Sequence, residues 1–150
     1  MMSPERAAQI CTKFSAAKAL DGTVVTAGFP CEVFAGGLAV RIDAGTTFEP
    51  DASVVCGPRH SDDTIVVSDP IIVVEVLSPS TAGVDHGRKL GGYFSLPSVE
   101  HYLILDPDRR VVTHQKRGSG DAIETRVLTG VAQLDPPGFE VVVAALFPPP

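Results

Sequence analysis

From Ala7 onward the apolar residues Ala7, Ile10, Cys11, Phe14 and Ala17 recur at helical spacing, the pattern of a helix with one packed face. Ser3-Pro4-Glu5 places a capping residue, a first-turn proline and an early acid ahead of them, and Asp21-Gly22 marks the expected end. Then Thr23 to Ala27, Glu32 to Phe34, Leu38 to Ile42 and Ser53 to Cys56 form short β-prone runs broken by Gly, Pro and Asp. The turns come too quickly for helices and predict a meander of antiparallel strands.

Ile71-Ile72-Val73-Val74-Glu75-Val76-Leu77 is almost entirely β-branched and does not alternate, which predicts a central strand covered on both faces. Ser78-Pro79-Ser80-Thr81 ends it. Asp85 to Leu96 reads as a helix with Leu90, Tyr93 and Phe94 on its apolar side, and His101 to Leu105 as the next strand. Asp106-Pro107-Asp108 turns the chain so that Val111 to Gln115 runs back as a hairpin partner. The Arg117-Gly118-Ser119-Gly120 loop leads to a further strand, Ile123 to Leu128. The run from Phe139 to Phe147 fits a strand or a short helix equally well. This order of elements predicts an α/β fold: a central mixed sheet, part antiparallel meander and part parallel strand, flanked by two helices and followed by a C-terminal hairpin.

A chain of 150 residues, 44% hydrophobic and 20% charged, has the size and composition of one globular domain. That domain is expected over residues 1–147, with 148–150 a proline tail. The net charge of -6 gives no global positive field, so a role on DNA requires a local basic patch. Arg109, Arg110, Lys116 and Arg117 are the basic concentration and read as a solvated hairpin end. Cys11, Cys31 and Cys56 show no C-x-x-C pairing. They suggest neither a disulfide framework nor a zinc site, and a reducing compartment is expected. With no membrane-spanning run and no signal-like start, a cytoplasmic protein is expected.

Glu75 is the most informative residue, because a carboxylate on a central apolar strand loses hydration unless a cation or donor compensates it. The compensation could be solvent at the strand end, an arginine, or something functional. Asp51, after Pro50 at the entrance to a strand, reads alone as a turn former. If it meets Glu75, the two acids repel unless a metal ion lies between them. Lys89 sits four positions beyond Asp85 and can form a surface pair with it. The surface pair is the commoner outcome for such a spacing; the sharper alternative is that Lys89 points back to the end of the central strand, near Glu75. His86 and His101 have no second histidine at metal-ligand spacing, and Ser78, Ser80 and Thr81 are turn chemistry that could also donate to a phosphate.

Pro50-Asp51, the block from Asp69 to Thr81, Asp85-His86-Gly87-Arg88-Lys89-Leu90 with Tyr93, and Glu100 to Pro107 together resemble the Uma2 family, also called DUF820. The family is grouped with the PD-(D/E)XK nucleases, which implies the restriction-endonuclease-like core of helix, antiparallel strands, helix and parallel strand. The resemblance implies that Asp51 and Glu75 are the motif acids, and that the backbone carbonyl of Val76 is a further ligand for Mg²⁺ or Mn²⁺. Leu77 stands where the standard motif has its lysine, and Lys89 takes that role from the helix, with Asp85 in support. Family members usually carry a further segment before the first helix, so an acidic ligand or sheet edge from there is expected to be missing or replaced; Glu5 is the acid near that start and is not taken as the replacement.

The activity so implied is metal-dependent hydrolysis of DNA phosphodiester bonds. The rival is a non-catalytic binding or assembly module that keeps the nuclease fold and forms a homodimer through a sheet edge or the first helix. Acidic charge and short length favour the rival; the three charged positions favour the enzyme.

Overall fold

The computed structural model describes residues 4–79 and 86–150. Helix α1 (Ala7–Ala27) is followed by strands β1 (Cys31–Phe34), β2 (Ala39–Asp43), β3 (Thr46–Phe48), β4 (Ala52–Cys56), β5 (Val66–Val67) and β6 (Ile72–Val76). Then come helix α2 (His86–Phe94), strands β7 (His101–Asp106), β8 (Val111–Arg117), β9 (Ile123–Leu128), β10 (Val131–Leu134) and β11 (Phe139–Val142), and a 3₁₀ turn (Val143–Leu146).

A six-stranded sheet in the order β1-β4-β6-β7-β8-β9 forms the centre of the molecule. β6 and β7 run parallel while the other neighbours are antiparallel. The parallel pair requires a crossover, and α2 lies within it. All five residues of β6 are buried, as an apolar strand without alternation should be. Ile72, Val74 and Val76 join the core on one face, with α1, the β10-β11 hairpin and the 3₁₀ turn. Val73 joins the core on the other face, with α2 and residues of the small sheet β3-β2-β5. Alternation puts Glu75 on Val73's side, beneath α2.

The mixed α/β architecture is therefore as expected, with four local differences. First, α1 continues through Asp21-Gly22, absorbs Thr23 to Ala27, and ends at Gly28, whose φ of 70° is the left-handed closure that glycine accepts readily. Its buried residues are Gln9, Thr12, Ala16, Ala17, Leu20 and Val24, whereas Ile10 and Phe14 are 52% and 67% exposed. Small Ala16 and Ala17 let the helix approach the sheet closely, so volume decides the face rather than hydrophobicity alone. The N-cap is Arg6, and Ser3 lies outside the described residues.

Second, β2 leaves the meander and pairs with β3 and β5 in the separate small sheet. Third, the final apolar run is both things expected of it, strand β11 and then the 3₁₀ turn. Fourth, Cys31 and Cys56 form a disulfide, against the reading of the cysteines as unpaired. The antiparallel register of β1 on β4 sets the two residues directly opposite each other across a sequence separation of 25. Spacing along the chain carries no trace of that register. The argument for a reducing compartment loses its basis with it.

Two further contacts hold the sheet to its surroundings. Arg117 donates from Nε to the Val99 carbonyl (2.9 Å) and from Nη2 to the carbonyls of Phe94 (3.1 Å) and Leu96 (2.9 Å), tying the end of α2 to β8. In this position it is a clamp and not a solvated hairpin charge. The buried His101 and His114 stack their polar edges, with Nδ1 of His101 2.8 Å from Nε2 of His114. Nε2 of His101 lies 2.7 Å from the Pro136 carbonyl. A carbonyl only accepts, so that nitrogen carries the proton, and Nδ1 of His101 accepts from His114.

Candidate active site

The ladder between β4 and β6 pairs Ala52 with Val74, so the next residues outward, Asp51 and Glu75, come side by side at the carboxyl end of β6. The Asp51 N–H donates to the Val74 carbonyl (2.9 Å), and Oδ2 of Asp51 accepts from the Val76 N–H (2.7 Å). The backbone thus fixes the Asp51 carboxylate against the strand that bears Glu75. α2 crosses the same face, and its Lys89 ammonium lies 2.6 Å from Oε2 of Glu75.

Helix α1 closes the other side. Gln9, almost fully buried, donates from Nε2 to the Leu77 carbonyl at 3.4 Å. Lys13 Nζ lies 3.3 Å from Oδ1 of Asp51 and also ion-pairs with Glu5. These groups line a cleft of about 170 Å³ that also includes Glu49, Ser78 and His86. Four carboxylates (Glu5, Glu49, Asp51, Glu75) and two ammoniums (Lys13, Lys89) leave it a formal charge of −2.

Burial pushes the Glu75 carboxyl above its ordinary range; the Lys89 ammonium pulls it back, and the neighbouring Asp51 adds to the rise. Burial lowers the Lys13 ammonium, but Glu5 and Asp51 together outweigh it and raise the group above its usual value. Two acids and two lysines are thus poised against one another, the arrangement in which protonation and ion binding are most sensitive to added charge.

Asp51, Glu75 and Lys89, which the family resemblance had singled out, therefore line one cleft; Val76 lines it too, and the group it is seen to engage there is its N–H, bonded to Asp51, rather than the carbonyl expected as a ligand. Asp85 lies outside the described residues, as do Ser80 and Thr81. His86 lines the cleft, whereas His101 is buried in the histidine pair. Sequence reading passed over Gln9, Lys13 and Glu49. The signal for the first two was present: Glu5, Gln9 and Lys13 follow at intervals of four, which places them along one helical face. Among the described residues, no group of three or more His, Cys, Asp or Glu is gathered as a ready-made metal cage.

The family model of Uma2, described as "Putative restriction endonuclease", matches residues 1–146. The chain belongs to the Uma2 family. Two Synechocystis proteins are similar to this Uma2 chain. One, "Uncharacterized protein slr1290", is 34% identical over 96 residues, covering 63% of this chain and 50% of its own length. The other, "Uncharacterized protein sll1609", is 31% identical over 108 residues, covering 69% and 61%. The Uma2 chain thus matches between half and two thirds of the length of these curated relatives. Its fold is similar to the crystal structure of a "putative nuclease belonging to DUF820" from Anabaena variabilis, with a TM-score of 0.74 over 98% of this chain and 84% of that one, at 16% identity. The restriction-endonuclease-like class is the fold of this chain. Among the described residues, no helix is long and apolar enough to cross a membrane.

Proposed function

We propose that this Uma2 chain is a Mg²⁺- or Mn²⁺-dependent endonuclease that hydrolyses DNA phosphodiester bonds at the Asp51, Glu75 and Lys89 cleft. The observation that carries the reading is the convergence of two strand-end carboxylates and a helix-borne lysine from three separate elements on one point. The family description and the nuclease named for the Anabaena structure support it.

The residues fit a hard divalent cation. Asp51 and Glu75 would offer carboxylate oxygens, Val76, which lines the cleft, would offer its backbone carbonyl, and the cleft's formal −2 is the charge such an ion would balance. Magnesium is commonly held by only one or two carboxylates, with water and substrate phosphate completing its shell, so a fuller cage is not required. A cation bound there supplies Lewis-acid polarisation of a phosphate and a bound water of lowered pKa.

The protein's own groups do the rest. The Val76 N–H holds Asp51 in a fixed orientation before substrate arrives, so no reorganisation is needed at the moment of reaction. Lys89 offsets part of the burial that raises the Glu75 carboxyl, and is placed to offset charge on a scissile phosphate and to orient the attacking water. Gln9 fixes the α1 wall of the cleft.

The test is nicking of plasmid DNA with Mg²⁺ or Mn²⁺ by the parent and by Asp51→Ala, Glu75→Ala and Lys89→Ala, with circular dichroism as the fold control. Loss of cleavage in all three with folding retained is expected. Undiminished cleavage by Asp51→Ala or Glu75→Ala would discard the mechanism.

A second reading, a non-catalytic homodimeric module on the same fold, is favoured by different observations. β9 forms one edge of the main sheet, with Val127 on it 68% exposed, and α1 turns Ile10 and Phe14 outward. We propose that pairing occurs through one of these surfaces under either reading. Calorimetry separates the two: Asp51-dependent binding of metal supports the enzyme, and no binding at millimolar metal supports the module.

A further inference from the structure

We infer that Lys13 is a tethered cation that occupies the charge position of the divalent ion and must be displaced for that ion to bind, so that this one helix residue sets the metal affinity of the cleft. The inference rests on the metal-dependent reading above.

The geometry is specific about which oxygen is at stake. Oδ2 of Asp51 is taken by the Val76 N–H at 2.7 Å, leaving Oδ1 as the oxygen turned to the cleft, and Oδ1 is the atom that Lys13 holds at 3.3 Å. Mg²⁺ takes its oxygen ligands at about 2.0–2.1 Å. Ion and ammonium would then face each other across a single oxygen, and their repulsion disfavours simultaneous occupancy.

Lys13 is also suited to leave. Its contact with Asp51 is longer than that of Lys89 with Glu75, and the Lys13 side chain is 30% exposed at the wall of the cleft. Four methylenes let the ammonium swing into water while the stem stays on the helix. Its departure uncovers Glu5, which lines the same cleft as Asp51, and the uncompensated negative charge favours the incoming cation. Lys89, against a carboxylate only 8% exposed, is the retained partner. The two lysines thus divide the work: one belongs to the resting cleft and the other to the loaded one.

The experiment is calorimetric titration of Mn²⁺ into the parent, Lys13→Gln, Lys13→Met, Lys13→Arg, Lys18→Gln and Asp51→Asn, with metal-dependent melting as a second readout. Removing a unit charge this close to a ligand oxygen should tighten Mn²⁺ binding by about tenfold or more in Lys13→Gln and Lys13→Met. Lys13→Arg, which keeps the charge, should stay near the parent, and so should Lys18→Gln on the same helix but outside the cleft. Without metal, Lys13→Gln should melt below the parent, and Mn²⁺ should raise its melting point by the larger increment. Equal or weaker Mn²⁺ binding in both neutral variants, with Asp51→Asn still abolishing binding, would overturn the exchange and leave the metal site standing. Absence of binding in the parent and both neutral variants would overturn the metal reading and this inference together.

Discussion

The ammonium of Lys89 and Oε2 of Glu75 meet at 2.6 Å across 14 residues of sequence, one from a helix and the other from the buried centre of a sheet. The acid is almost fully desolvated and the lysine is partly so, and removing either partner is therefore asymmetric.

Lys89→Met leaves the Glu75 carboxylate buried without its cation. A loss of about 2 kcal/mol is expected, below the range for a fully buried pair because Lys89 reaches solvent. Glu75→Gln in the same background should recover most of it. Because burial already raises the folded-state pKa of Glu75, protonation favours the folded form, and this contribution is present in acid and lost as pH rises through the raised value. Lys89→Met should accordingly be less destabilised at pH 5 than at pH 8, which urea titration at the two values would show.

The histidine pair predicts the opposite slope. Burial lowers both His101 and His114 to about 4, with the repulsion between them adding to His114. The unfolded chain takes up these protons near about 6.5. Stability from the neutral pair is thus complete above that value and falls as pH drops from 6.5 towards 4, by about 1.4 kcal/mol per pH unit for each proton taken up. Replacing His114 with Gln should flatten the slope in that window; an unchanged slope would show that the pair titrates elsewhere.

The Cys31 and Cys56 pairing predicts that alkylation of the denatured, unreduced protein labels Cys11 alone, whereas reduction exposes all three thiols. Closing a loop of 25 residues in the unfolded chain stabilises the fold by roughly 3 kcal/mol in the chain-entropy account. Reductant and Cys56→Ser should therefore lower the melting temperature by similar amounts.

Gly92 lets α2 settle on Phe48. A Cβ at this position would lie 2.6 Å from Cε2 of the Phe48 ring, so either the ring or the helix must move. Gly92→Ala should destabilise the protein by about 1–3 kcal/mol despite the better helix propensity of alanine. Since α2 carries Lys89, the cleavage proposed above should fall with it. A more stable Gly92→Ala protein would mean that the ring rotates away freely.

The central strand, the helix after it and the parallel strand beyond were legible because their residues leave one physical solution. A β-branched run such as Ile71 to Val76 packs on a pleated surface covered on both sides, and its single acid must end near a compensating charge. The helix α1 was legible, but its packed face was not, for a related reason. Its apolar residues lie on more than one side, so sequence periodicity could not say whether Ile10 and Phe14 or Ala16 and Leu20 would meet the sheet. The surface left by β10, β11 and the 3₁₀ turn, assembled from the far end of the chain, made that choice.

The sequence by itself determined the class of fold and the order of its main elements, because burial and local backbone preference act on each residue where it stands; it singled out Glu75 on its buried strand, whereas Asp51 and Lys89 stood out only through the resemblance to the Uma2 family. Only the tertiary structure decided that Lys13 reaches Asp51, that Cys31 faces Cys56 and that Arg117 clamps α2. Each of those contacts depends on strand register or on the path of a helix across the sheet. These are properties of how distant segments fit together, and no segment encodes them alone.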